Sequence, residues 1–154
     1  MGDIETKLEY CLNCINKPCS TGCPLGNDIP TFIKLAKEQK YKEAYEILNK
    51  TTVMPFICGK ICPKSKQCQG KCIRGIKDEP VSIGDIESYI GDMAIENKWY
   101  LNEDTLSSNG KKVAIIGSGP AGITASIWLK RYGADVTIFE KRKKIGGLLR
   151  YGIP

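Results

Sequence analysis

Residues 11–24 read CLNCINKPCSTGCP and residues 58–72 read CGKICPKSKQCQGKC, and these two stretches decide the fold of the first hundred positions. The first spaces its thiols as Cys11-x2-Cys14-x4-Cys19-x3-Cys23-Pro24, the second as Cys58-x3-Cys62-x5-Cys68-x3-Cys72. Two or three cysteines in one short loop can bend around a single inorganic cluster, because their thiolates converge without long-range ordering of the chain. A four-iron cluster then needs a further ligand from elsewhere, and in two-cluster runs the cysteine that precedes proline serves the other cluster. Cys23-Pro24 occupies that place. By the same logic Cys72, at the end of the second run, can return to the first cluster. Both runs then build both clusters, and the domain is expected to fold around its metals.

All eight cysteines lie in these runs, and there is no histidine. That excludes mixed cysteine/histidine zinc fingers, Rieske centres and histidine-based acid–base catalysis. Zinc held by four thiolates is the competing metal, but zinc knuckles repeat C-x2-4-C pairs and the x5 spacing suits them poorly. Disulfides are the bland alternative. The opening MGDIETKLEY has no apolar core of a secretion signal, so a reducing, cytoplasmic setting is expected, in which thiols bind metal rather than pair. No stretch approaches the roughly 18 apolar residues that cross a bilayer, so no membrane partner is expected. The formal charge is +6 with every cysteine counted neutral. Thiolate-bound clusters would bring it to about +3, which is poor ground for a nucleic-acid partner. Lys141-Arg142-Lys143-Lys144 reads as a solvated turn.

The chain reads as mostly α. Residues 1–100 form an α-helical ferredoxin-like domain, 101–110 a polar linker ending in Asn-Gly, and 111–154 the first βαβ unit of a truncated Rossmann-type domain. Asp28 precedes Ile29-Pro30 and can cap a helix through Phe32, Ile33, Leu35 and Ala36. A second helix runs Tyr41 to Asn49, with Ala44, Tyr45, Ile47 and Leu48 on one side. A third starts at Ser82, whose Ser-x-x-Asp sequence to Asp85 resembles a capping box, and continues to about Trp99. On it Ile83, Ile86, Ile90 and Ala94 form an apolar stripe, and Glu87 falls within that stripe. A carboxylate there is costly unless paired or bound to metal. Ligand and stripe-edge residue are both open readings from the pattern alone.

The order of these motifs resembles the glutamate synthase small-subunit family. The resemblance is carried by the run Cys11 to Pro24, the group Cys62, Cys68 and Cys72, Pro80-Val81-Ser82-Ile83-Gly84, and Gly117-Ser118-Gly119-Pro120-Ala121-Gly122. That family includes the NADPH-dependent glutamate synthase β chain, related ferredoxin–NADP oxidoreductases and the N-terminal part of dihydropyrimidine dehydrogenase. The resemblance implies two 4Fe-4S clusters, with Cys11, Cys14, Cys19 and Cys72 on one and Cys23, Cys62, Cys68 and Glu87 on the other. Cys58 is then a spare, buried small hydrophobe; the rival partition makes Cys58 the fourth ligand and Glu87 a bystander. Implied too are FAD, NAD(P)H bound by a domain absent here, and electron transfer to a redox partner subunit. That partner would resemble the glutamate synthase large subunit or another flavin/iron–sulfur protein.

Val113-Ala114-Ile115-Ile116 is a continuous apolar run, expected of a parallel strand covered on both faces. Gly117-x-Gly119-x-x-Gly122 follows it and opens a helix of about 120–132, before a second strand from Asp135 to Phe139. Gly117 permits the tight turn, Gly119 lets a pyrophosphate approach the backbone, and Gly122 lets helix and strand pack closely. The phosphates sit at the helix N-terminus, beside Ser118, Pro120 and Ala121. Glu140, 18 residues beyond Gly122, can accept hydrogen bonds from ribose hydroxyls and would repel a 2′-phosphate. Lys141 adjoins it, and Gly146 to Pro154, with Gly147 and Leu148, resembles the family's continuation of the flavin site. No residue reads as an acid, base or nucleophile for substrate chemistry, so an electron-transfer part of an oxidoreductase is expected, without a complete active site. A zinc-stabilised interaction module with a non-functional nucleotide fold is the alternative.

Overall fold

The computed structural model describes residues 4–99 and 107–153, and the chain divides into two compact units, Met1–Leu101 and Asn102–Pro154. Positions 101–106 of the expected linker, and Pro154, lie outside the described residues. At 107–110 the Asn-Gly turn forms as its residues require. Gly110 takes a φ of 74°, and Asn109 Oδ1 accepts the Lys111 amide at 2.9 Å.

The first unit has helices joined by loops and no strand among its described residues. Its elements are α1 (Ile4–Glu9), α2 (Pro18–Thr21), α3 (Ile29–Lys37), α4 (Tyr41–Asn49), α5 (Pro55–Ile61) and α6 (Ile83–Glu96). Three single-turn 3-10 segments, Lys64–Lys66, Gln69–Lys71 and Ile73–Ile76, carry the chain through the second cysteine run. Helices α3, α4 and α6 stand where the apolar spacing puts them, although α6 ends at Glu96 rather than near Trp99. They bury Ile29, Phe32, Ile33, Leu48, Ile83, Ile86 and Ile90 against one another. Each such side chain contributes about 1.5–3 kcal/mol relative to exposure.

Neither helix start shows a well-formed side-chain cap, although the Thr31 backbone N–H and hydroxyl still reach the Asp28 carboxylate. Asp28 is the N-cap of α3, but its carboxylate takes the Lys17 ammonium at 2.7 and 2.9 Å, while Ser20 Oγ accepts the Ile29 amide at 3.1 Å. Ser82 makes no side-chain cap on α6, and Asp85 pairs instead with Lys7 of α1. In both places a lysine from another element brings a full charge to the carboxylate.

The second unit contains β1 (Lys112–Ile116), α7 (Pro120–Arg131), β2 (Asp135–Phe139) and the short α8 (Leu148–Tyr151). The strands pair in parallel from Lys112↔Asp135 to Ile116↔Phe139. The expectation of a strand covered on both faces is corrected here, since β1 alternates between exposed and half-buried and Ile116 is 84% exposed. With two strands and α7, one face of the pair has no covering layer among the described residues. No described helix is long and apolar enough to cross a membrane.

Candidate metal and nucleotide sites

All eight cysteines are free thiols, and the fold sorts them into two groups. Cys11, Cys14, Cys19 and Cys72 line one cavity, whose remaining wall is mostly apolar and includes Leu12, Ile33, Ile73 and Val81. Its empty space is about 360 Å³ with the open mouth included. Three of these thiols come from the first run and one from the second. Burial raises the Cys11 thiol and pushes Cys19 up to about 11, and crowding by Cys72 adds to both shifts.

The donor set fits a cluster chemically. Thiols that cannot shed their protons in a bare apolar pocket do so once a cationic metal core replaces the protons. Arg74 lines the same cavity, with its guanidinium 3.7 Å from the Tyr10 ring centroid, and its buried Nε–H finds no acceptor. An orphaned donor beside four thiols suits an anionic sulfur-rich group.

The second group gathers Cys23, Cys58, Cys62, Cys68 and Glu87. Each of the thiols of Cys58, Cys62 and Cys68 lies within electrostatic reach of both Glu87 and Cys23. Burial pushes Cys62 and Cys68 up to about 11. Glu87 is only 7% exposed, and burial drives its carboxyl up to about 7 against the opposing pull of Lys64 and Asn27. Asn27 Nδ2 donates to Glu87 Oε1 at 3.4 Å.

Cys58, expected to be buried, is not fully so. It is half-buried, 3.5 Å from Thr52 Oγ1, and belongs to the second group. The reason is α5, a helix that cysteine spacing alone did not reveal. Cys58 lies within α5 and Cys62 is its C-cap, with the Cys62 amide donating to Cys58 O at 3.1 Å. Helix α5 reaches Glu87 because it crosses α6 at glycine. A Cβ on Gly59 would lie 2.4 Å from the Gly84 carbonyl oxygen and 2.5 Å from the Ser88 nitrogen. Among the described residues no three donors converge closely enough to hold a single metal ion. A tetrahedral zinc site would draw its sulfurs to about 3.8 Å from one another, given zinc–sulfur bonds of about 2.3 Å.

In the second unit the glycine-rich turn has the local shape that a pyrophosphate requires. Gly117 takes a φ of 95° and donates its amide to Phe139 O at 2.8 Å. A Cβ on Gly119, at the start of α7, would stand in open space. A Cβ on Gly122 would meet Gly117 O at 2.1 Å and Ile115 Cγ2 at 3.4 Å, which is the close packing of helix on strand. Pro120 and Ala121 form the exposed first turn of α7, whose leading N–H groups favour an anion.

Ser118 is buried, and its N and Oγ donate to Glu140 Oε2 at 2.9 and 2.6 Å, while Arg142 N donates to Oε1 at 2.8 Å. Together they hold the Glu140 carboxyl down at about 2, with the Ser118 hydroxyl the largest cause. The Gly146 amide bonds Ser118 O at 3.1 Å, and Gly147, with a φ of 51°, lies so close that a Cβ would stand 2.8 Å from Gly119 Cα. Thus the 146–148 segment folds over the turn, with Leu148 exposed beyond it. Lys141 opens the solvated, exposed turn that follows β2.

Comparison with known proteins gives these sites a lineage. The family described as dihydropyrimidine dehydrogenase domain II, 4Fe-4S cluster, matches residues 3–99, and an NAD(P)-binding Rossmann-like domain matches residues 115–152. The chain is 40% identical over 153 residues to the glutamate synthase (NADPH) small chain of Escherichia coli (strain K12), covering 99% of this chain and 32% of that protein. It is 42% identical over 151 residues to that of Mycobacterium tuberculosis (strain CDC 1551 / Oshkosh), covering 98% and 30%. For Azospirillum brasilense the identity is 39% over 145 residues, covering 94% and 30%. The chain thus spans about a third of the length of these relatives. With its cysteines gathered as two groups and a Rossmann-like turn later in the sequence, the chain belongs to the 4Fe-4S family of dihydropyrimidine dehydrogenase domain II and is a homologue of glutamate synthase small chains.

Proposed function

We propose that this chain is the electron-transfer part of an NAD(P)H-dependent flavin/iron–sulfur oxidoreductase of the glutamate synthase small-chain kind. Residues 1–100 hold two 4Fe-4S clusters, 101–110 link, and 111–154 begin an FAD-binding domain, the NAD(P)H site lying in a further domain. The observation that carries the reading is the sorting of thiols from both runs into two groups, one closed by Cys72 and the other opened by Cys23. When bound, such clusters store and release single electrons, and a flavin converts hydride chemistry into single-electron steps.

The chain's own residues supply everything else. Cys11, Cys14, Cys19 and Cys72 hold one cluster, and Cys23, Cys62, Cys68 and Glu87 the other. The apolar walls at Ile33 and Val81 lower the local polarity on which a potential depends. Gly119 and the start of α7 receive the pyrophosphate, Gly147 and Leu148 cover it, and Glu140, with its neighbour Lys141, faces the ribose. The acceptor is a partner subunit resembling the glutamate synthase large subunit, in a reducing cytoplasm. Anaerobic preparation of the full-length protein tests this. About eight irons with matching acid-labile sulfide, and absorbance near about 400 nm that bleaches with dithionite, are expected. Colourless protein containing zinc returns it to the class of zinc-stabilised interaction modules.

A further inference from the structure

Asn27 stands between α2 and α3, four residues after Cys23, and is only 2% exposed. Both ends of its amide are engaged. Thr51 Oγ1 donates to Asn27 Oδ1 at 2.5 Å, and Asn27 Nδ2 donates to Glu87 Oε1 at 3.4 Å, across 60 residues of sequence. The Thr51 hydroxyl holds the amide oxygen, and the opposite amide orientation would also set carbonyl oxygen against carboxylate oxygen, so the nitrogen is the end turned to Glu87. Glu87 Oε2 accepts no hydrogen bond among the described residues.

We propose that Asn27, oriented by Thr51, is the positioning residue for Glu87: it occupies Oε1 and leaves Oε2 as the oxygen presented to the second cluster. This rests on Glu87 being a ligand of that cluster. A carboxylate whose second oxygen accepts an N–H gives less charge to the metal, and its plane is held at one angle. A purely structural asparagine would satisfy the same burial without touching the properties of the metal.

The test uses the full-length protein, purified without oxygen, with iron and sulfide counted and the reduced clusters followed by electron paramagnetic resonance and redox titration. Glu87→Gln identifies the signal of the second site. Asn27→Leu is expected to keep the iron count, move that signal and lower its midpoint potential, leaving the other signal in place. Thr51→Val moves the same signal in the same direction, by less. If Asn27→Leu loses its iron, Thr51→Val decides alone. An unmoved signal in the variants that retain iron, while Glu87→Gln moves it, overturns the positioning role only. If Glu87→Gln moves neither signal, the ligand reading falls and the proposal with it.

Discussion

A Cβ built on Gly59 stands 2.4 Å from the carbonyl oxygen of Gly84, so α5 and α6 meet backbone to backbone. The same crossing continues at Gly91, whose Cβ would lie 2.4 Å from the Phe56 nitrogen. Lys64 Nζ donates to Gly59 O at 2.6 Å from the next turn. Gly59→Ala therefore has no flexible neighbour to displace and should cost about 1–3 kcal/mol by overpacking. Denaturant unfolding of the full-length protein measures this. The iron held at the second site should fall in parallel, because Cys58 lies on α5 and Cys62 caps its C-terminal end. A variant as stable and as iron-rich as the parent contradicts this account of the crossing.

Five donors surround the second site and a cubane takes four. With Glu87 as ligand, Cys58→Ala should retain about eight irons per chain, the total for two four-iron clusters. Glu87→Ala should alter the spectrum of one cluster and leave the other alone. Loss of about four irons from Cys58→Ala would give Cys58 the ligand's place and make Glu87 a bystander. Iron and sulfide analysis of the two variants decides between the partitions.

Two glycines three residues apart should respond in opposite ways. Gly119 has a φ of −70° and open space around its missing Cβ, so Gly119→Ala keeps the fold while placing a methyl group where phosphate must approach. Flavin affinity of the full-length protein should drop about tenfold or more, which is about 1.4 kcal/mol. Gly122→Ala drives a Cβ to 2.1 Å from Gly117 O and should unsettle the strand–helix contact itself. Thermal unfolding and flavin titration of both variants separate lost binding from lost fold.

Glu140 gives the nucleotide unit an acid-sensitive tie. Its carboxyl is held from an ordinary value of 4.5 down to about 2 by Ser118, with Arg142 assisting. A carboxyl depressed on folding stabilises the folded state fully above its unfolded value and loses that contribution as pH falls through the folded one. The stability difference between the parent and Glu140→Gln should thus be constant near neutrality and shrink between about pH 4.5 and about pH 2. A difference that grows on acidification would contradict the sign.

The metal chemistry was legible in the sequence because cysteine spacing is a local property: a loop of three thiols carries its curvature with it wherever it folds. The glycine-rich turn was legible for the same reason, since positive φ at Gly117 is demanded within a few residues of chain. Helices α3, α4 and α6 announced themselves through apolar periodicity. Helix α5 did not, because PFICGKI is short, includes glycine and gains its order by lying on α6. The local pattern at Asp28 and Ser82 leaves out Lys17 and Lys7, which pair with Asp28 and Asp85 from other elements.

Sequence alone thus determined the spacing of the thiols, the change of pattern after residue 110 and the glycine-rich turn, all of which are set by neighbours along the chain. Only the tertiary structure brought Cys58 beside Glu87, and tied Glu87 to Asn27 and Thr51. Those encounters depend on a glycine crossing and on a buried amide reaching across 60 residues. No local pattern encodes such distances, because they follow from how packed helices exclude water and from which polar atoms are left together inside.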